Sequence, residues 1–369
     1  MCVTKLLKEL IHNELWDEQL SFSSIDKKDF SALQNIANMQ TVNGLVYSSL
    51  INNNVKLPQQ EALVAFGSLE NTKKANLLLN KNLIFLTELL EKHNIKFFVI
   101  KGQTIANSYP RPLHRVGGDI DFYCFAEDLE RLLNILHKEL NVEPKRDESE
   151  QHYTFLFNKT LFELHFTLYK FANTENQQYF DNLINSEPLS YTFIDNKKIP
   201  TLNPTLNLAY TFLHLFHHLI ELGVGLRQFC DVAILCHIAA MAEQEGDRKN
   251  CIDKAKLIEI LTRLDFLKAF TAIGTVLVDE IGLPEAEFPY TLTKKDYKRK
   301  KYILNVVYKR GNFGKYGRTT KVRSGIKYYI EQTNIKLSHY YHLFNLSRKE
   351  NIALVTKEIP KKIFQAIKR

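Results

Sequence analysis

Apolar residues recur at three- and four-residue spacing through most of positions 1–94, the pattern of helices that bury one face. "MCVTKLLKELIHNELW" interleaves Leu and Ile with charges, which predicts an amphipathic helix and not a signal peptide. A longer helix is predicted from Pro58, suited to a first turn, to Leu90, with Asn94 as its stop. The period then changes. "IKFFVI" (Ile95–Ile100) is short, apolar and partly β-branched, as buried strands are. Gly102 follows, then "QTIANSY", a short helix candidate. "DIDFYCF" (Asp119–Phe125) alternates like a strand, and "AEDLERLLNILHKEL" (Ala126–Leu140) is an amphipathic helix with acids in its first turn. "HYTFLFN" and "LFELHFTLY" read as two strands joined by a tight Asn158-Lys159-Thr160 turn. Beyond them the chain reads as nearly all helical. Pro204 opens "NPTLNLAYTFLHLFHHL", and Gly223 and Gly225 separate it from "LRQFCDVAILCHIAAMAEQ". Further helices are predicted at about 254–282 and about 319–346.

The alternation of helix and strand argues for an α/β (α+β) core, helices packed on a mixed sheet, flanked by helical regions at both ends. The predicted division is 1–94 helical, 95–200 the α/β core, 201–290 helical, and 291–369 a basic helical region. A chain of 369 residues can bury cores for two or three domains. Five scattered cysteines form no zinc-type spacing and read as small buried apolar residues, which suits a reducing cytoplasm. The most apolar helix, Thr205–Leu222, carries three His and a Glu, so no membrane span is expected.

Charge is uneven. Lys294–Lys327 holds nine Lys and four Arg against Asp296 alone, a local balance of +12 in a chain of net +8. The remainder is therefore near −4. The segment mixes Tyr and Phe with its cations, which suits a polyanion such as nucleic acid, and equally a solvated helix face or a lipid headgroup. No RRM or KH signature accompanies it.

The candidate chemistry lies at Asp119-Ile-Asp121. Residues two apart on a strand share a face, so both carboxylates project together while Ile120 and Phe122 point into packing. Adjacent carboxylates repel, and a divalent metal resolves the conflict. Asp128-Leu-Glu130, Glu148-Ser-Glu150 and Glu285-Ala-Glu287 have the same spacing, but none follows a strand-Gly-helix unit. "LFELHF" puts Glu163 and His165 on one face. A neighbouring position for that strand would bring Glu163 to the two aspartates, where three carboxylates can hold two metals and Glu163 can serve as a base.

"IKGQTIANSY…R…GDIDFY" with "FELHF" resembles the nucleotidyltransferase superfamily, DNA polymerase β-like, and within it a bacterial group described as uncharacterised nucleotidyltransferases. The resemblance covers about 95–240 and extends to "LRQFCD" and "GNFG" (Gly311–Gly314). It implies a Mg²⁺- or Mn²⁺-dependent enzyme that moves a nucleoside monophosphate from an NTP, such as ATP, to an acceptor hydroxyl. Asp119, Asp121 and Glu163 take the carboxylate positions, catalytic and metal-binding, and Gly102 the phosphate-loop position. Gln103 stands where the superfamily has Ser or Gly, and residues 104–118 make a long connection to Asp119.

Supporting residues keep more than one reading each. Gly102 lets backbone approach a phosphate, or serves a turn. Lys101 reaches a phosphate or solvates the strand end. Arg115 neutralises phosphate or pairs with an aspartate. His165 orients Glu163, contacts phosphate, or packs. His214, His217 and His218 are packing residues or a wall of the nucleotide cleft, since no HExxH spacing accompanies them. Arg227 pairs with Asp231 one turn on, or, as the resemblance suggests, touches substrate. With Lys101, Gly102 and Gln103, residues Arg115, His165 and Arg227 complete the expected nucleotide-binding set. The other functional class is an inactive nucleotidyltransferase fold that binds nucleic acid or another polyanion through Lys294–Lys327.

Overall fold

The computed structural model describes residues 2–147, 151–320 and 326–358. The Glu148-Ser-Glu150 triplet and part of the basic segment, 321–325, lie outside these residues. Four helices lead: α1 Val3–Trp16, α2 Lys27–Gln40, α3 Asn43–Asn52 and α4 Gln59–Lys92. The core follows with β1 Phe97–Ile100, α5 Gly102–Ala106, β2 Asp119–Cys124, α6 Leu129–Leu140, β3 Lys145–Arg146, β4 His152–Phe157 and β5 Thr160–His165. Then come α7 Thr174–Ser186 and a hairpin of β6 Ser190–Ile194 and β7 Lys197–Thr201. The remaining helices are α8 Pro204–Glu221, α9 Leu226–Glu245, α10 Lys254–Arg263, α11 Leu267–Val276, α12 Lys300–Arg310, α13 Ile326–Leu343 and α14 Arg348–Ala353. No helix among the described residues is long and apolar enough to cross a membrane.

The seven strands form one mixed sheet in the order β3-β4-β5-β2-β1-β7-β6. β2 runs antiparallel to β1 and parallel to β5, with Asp121 opposite Glu163. The neighbouring position expected for the Glu163 strand is therefore present. Ile120, Phe122, Phe162 and Leu164 pack with Leu83, Leu86 and Leu90 of α4 and Leu132 and Leu136 of α6. The period of two then turns Asp119, Asp121, Glu163 and His165 to the opposite face. That face meets α8 and α9, whose apolar residues form the larger core with α1–α3, α7 and α10–α12.

α4 also positions the chain ahead of β2. Asn76 donates from Nδ2 to the carbonyls of Leu113 and Arg115, at 2.8 Å each. Asn82 bonds Thr160 Oγ1 at 2.6 Å, at the start of β5. Both Asn are buried and satisfy groups that would otherwise be lost to water.

Several elements differ from the sequence pattern. The helix expected from Ala126 begins at Leu129, because Asp128 Oδ2 accepts from the Lys96 backbone and caps that segment instead. The single helix expected at about 254–282 is two, α10 and α11, broken where Phe266 closes back on Leu261. α7 and the β6–β7 hairpin were not anticipated. Their turn, Asp195-Asn196, has positive φ at both residues (47° and 66°), the geometry of a two-residue hairpin loop. Thr160 belongs to β5, so the β4–β5 turn is Asn158-Lys159 alone, again with positive φ at both residues.

Cys124, Cys230 and Cys236 are buried as expected, whereas Cys2 is exposed and Cys251 half-buried. Part of the basic segment's charge is used internally. Lys300 pairs with Asp279, and Arg310 and Arg318 donate to the carbonyls of Gly317 and Gly314.

Candidate active site

A cleft of about 300 Å³ opens between the sheet face and the α8–α9 pair. It is lined by Asp119, Asp121 and Glu163, and also by Lys101, Gly102, Arg115, His165 and Arg227. Eight of the nine expected nucleotide or carboxylate residues thus meet in one place. Gln103 does not line it. Its Nε2 donates to Asn80 at 2.6 Å, so the side chain turns toward α4.

Lys101 ends β1 with φ +55° and ψ −146°. A non-glycine residue holds such a conformation at about 1–3 kcal/mol, and such strain clusters at functional sites. Gly102 continues the turn at φ +43°, which suits a residue without Cβ. The result is a Lys101 side chain turned back onto Asp121, Nζ to Oδ1 2.9 Å. Both readings of Lys101 thereby change: it is the counter-ion of a buried aspartate.

Asp121 also accepts from His165 Nε2 at 3.0 Å, and the same nitrogen lies 3.5 Å from Glu163 Oε2. Burial alone would raise the Asp121 carboxyl, but Lys101 and His165 outweigh it and hold it well below the usual range. Burial opposes the charges of Lys101 and His165 too, yet Asp121 outweighs it at both, joined at His165 by Glu163, and raises them. Among the described residues Asp119 has no such partner. Repulsion from Asp121, with burial, pushes its carboxyl up to about 6.

The cationic wall is crowded in the mirror sense. Arg115 Nε and Nη2 donate to the two Asp231 oxygens at 2.6 and 2.8 Å, and Tyr109 Oη adds a third bond at 2.7 Å. The expected Arg227–Asp231 pair is therefore absent. An intrahelical pair is worth a few tenths of a kcal/mol, and a buried bidentate guanidinium with a phenol displaces it. Arg227 instead donates from Nη1 to the Val116 carbonyl at 2.9 Å. Burial, then repulsion from Arg115, lowers the Arg227 pKa. Arg115 Nη1 and Arg227 Nε are buried and have no hydrogen-bond partner among the described residues.

α8 supplies the opposite wall through Tyr210, His214, His217 and His218. The Nε2 atoms of His214 and His218 are 3.1 Å apart, and burial holds both rings far below their ordinary pKa. All three histidines line the cleft. Phe313 completes the rim, edge to face with His218 at 4.9 Å between centroids. It sits at φ +55°, 40% exposed, between Gly311 and Gly314. Gly314 is at φ +60°, and a Cβ there would stand 2.4 Å from the Leu222 carbonyl oxygen. The "GNFG" sequence thus packs closely against the end of α8, with its one large apolar side chain turned to the cleft.

His152 and Tyr210 were not singled out from the sequence, and Phe313 only as part of "GNFG". For His152 a signal existed. A two-residue turn at 158–159 fixes the β4–β5 register and puts position 152 opposite 165, as observed.

No curated protein matches the chain. Two solved structures are similar to parts of it. One is an antigenic nucleotidyltransferase-like protein from Paracoccidioides brasiliensis, 14% identical, over 49% of this chain and 92% of that one, with a TM-score of 0.33. The other is the antibiotic-resistance factor ANT(2'')-Ia, 12% identical, over 48% of this chain and 90% of that one, with a TM-score of 0.33. The family model described as "Uncharacterised nucleotidyltransferase" matches residues 26–278, which spans the sheet, the cleft walls α8 and α9, and helices on both sides. With a match over more than half its length, the chain belongs to the uncharacterised nucleotidyltransferase family.

Proposed function

We propose that the protein is a divalent-cation-dependent nucleotidyltransferase that moves a nucleoside monophosphate from an NTP to an acceptor hydroxyl. One observation carries this reading: a single cleft holds two crowded sets of like charge. Asp119 is pushed up to about 6 by Asp121, and Arg227 is lowered by burial and by Arg115. A cation with a polyanion relieves both at once, and a metal–triphosphate is that combination. Arg115 Nη1 and Arg227 Nε, each buried with no partner, are spare donors of the kind phosphate oxygens accept.

The carboxylate donor set fits a hard divalent cation, and Asp119, Asp121 and Glu163 would hold it. When bound, such a cation neutralises charge on the reacting phosphate and lowers the pKa of the acceptor hydroxyl. The chain's own residues supply the rest. Glu163 takes the hydroxyl proton as the acceptor oxygen bonds to the α-phosphorus. The bond from that phosphorus to the bridging oxygen breaks, and pyrophosphate leaves with the electron pair. Arg115 and Arg227 hold the phosphates in place, and Lys101, freed from Asp121, is available to them. Phe313 offers a ring face to the base.

Calorimetric titration with ATP, GTP, CTP and UTP in Mg²⁺ tests the reading. At least one nucleotide should bind, and the Asp119→Ala/Asp121→Ala protein should lose that binding; unchanged affinity in the double variant would sink the cation assignment. Phe313→Ala should weaken the preferred nucleotide by about tenfold, since base–aromatic stacking is worth about 1–3 kcal/mol. A Phe313→Ala protein that binds as tightly as the parent removes the stacking role.

A further inference from the structure

The cleft contains a second set of metal donors, and no carboxylate motif marks it. His152 lies directly across from His165 in the β4–β5 register, with ring centroids 5.0 Å apart. One nitrogen from each ring and one Glu163 oxygen all lie within 4.8 Å of one another. All three side chains line the cleft. His165 makes its bonds through Nε2, and its Nδ1 is buried with no partner.

The charge pattern points to the same place. Asp121 already has Lys101 beside it at 2.9 Å. Among the described residues no Lys or Arg forms an ion pair with Glu163, whose carboxylate is met by His165 alone, at 3.5 Å. Unmet negative charge therefore remains on Glu163, next to two imidazoles, as well as on Asp119.

Donor type decides what such a position takes. Mg²⁺ seeks oxygen ligands and keeps much of its water. Two imidazoles with one carboxylate favour first-row transition metals, and the remaining coordination positions stay open. We infer that His152, Glu163 and His165 form a transition-metal position, for Mn²⁺, Co²⁺ or Zn²⁺, beside the Asp119–Asp121 edge. The inference rests on the proposed nucleotide cleft for its role but on a different donor set for its binding. Asp121 is placed to orient the His165 ring, in the way a carboxylate commonly fixes a metal-bound histidine. Glu163 belongs to both positions, so the two sites share a ligand.

The test is titration of metal-free, nucleotide-free protein with Mn²⁺, Zn²⁺ and Mg²⁺ by calorimetry, with Mn²⁺ also followed by electron paramagnetic resonance. Mn²⁺ and Zn²⁺ should bind at least about tenfold tighter than Mg²⁺. His152→Ala should weaken them by at least about 10–100-fold, since losing a direct ligand costs no less than losing a group that orients one. His152→Gln, which keeps a polar residue on the strand without an imidazole, should do the same, and melting curves confirm that both variants fold. Three results overturn the inference: unchanged Mn²⁺ and Zn²⁺ affinity in both variants, Mg²⁺ bound as tightly as Zn²⁺, or no metal bound without nucleotide. Failure of the proposed function looks different. Metal binding that depends on His152, with no NTP bound under any metal, leaves this site standing and removes the nucleotidyltransferase reading. NTP binding that persists while metal binding ignores His152 does the reverse.

Discussion

Asp119→Asn will make the metal-free protein more stable at neutral pH while cutting nucleotide transfer by about 10²–10³-fold, the cost of removing one strong electrostatic stabiliser of a transition state. The two effects have one cause. Asp119 shares a face with Asp121, and repulsion with burial raises its carboxyl from 3.8 to about 6. Between those values the folded protein keeps a proton that the unfolded chain has lost. Stability therefore falls as pH rises from about 4 to about 6, and above that range the loss is at most about 3 kcal/mol. Asn does not ionise, so the variant escapes this loss. Urea unfolding at pH 5 and pH 8 measures it: the advantage of the variant should grow with pH. Pyrophosphate release from NTP, with cell extract as the source of acceptor, measures the other half. A variant that is no more stable than the parent at pH 8 would contradict the charge crowding, and one that keeps full activity would remove Asp119 from the site.

Asp231→Asn should cost about 3–5 kcal/mol of stability, because it leaves a buried guanidinium without its counter-charge. Arg115 and Asp231 side chains are only 4% and 6% exposed, and two bonds join them. Tyr109 loses a charged acceptor in the same step. The effect should be far from additive. Arg115→Met/Asp231→Leu should be less destabilised than Asp231→Leu alone, since the double variant buries no orphan charge. Urea unfolding of the three proteins decides the matter. A cost for Asp231→Asn below about 1 kcal/mol, within the range of an exposed pair, would show that water reaches Arg115 and that the pair is not buried.

Much of the architecture was legible because it rests on local rules. Short β-branched runs and alternating segments located β1, β2, β4 and β5, and a three- to four-residue period located most of the helices. The β6–β7 hairpin escaped because the large apolar positions of β6, Tyr191 and Phe193, are exposed, and β7 buries its last three residues without alternation. α7 escaped for a related reason: only Asn176, Phe180 and Ile184 of its thirteen residues are buried.

The site divides in the same way. A period of two, known from the residues alone, put Asp119 with Asp121 and Glu163 with His165 and turned Ile120, Phe122, Phe162 and Leu164 into the core. That part is a property of extended backbone and holds wherever the strand is placed. Which groups face one another across the cleft is not local. Strand order set Asp121 beside Glu163, and the β4–β5 register set His152 against His165. The strained turn at Lys101 brought an ammonium onto Asp121, and the loop before β2 delivered Arg115 to Asp231 in place of Arg227. A charge takes as its partner the group that meets it at hydrogen-bonding distance out of water, and only the folded chain determines which group that is.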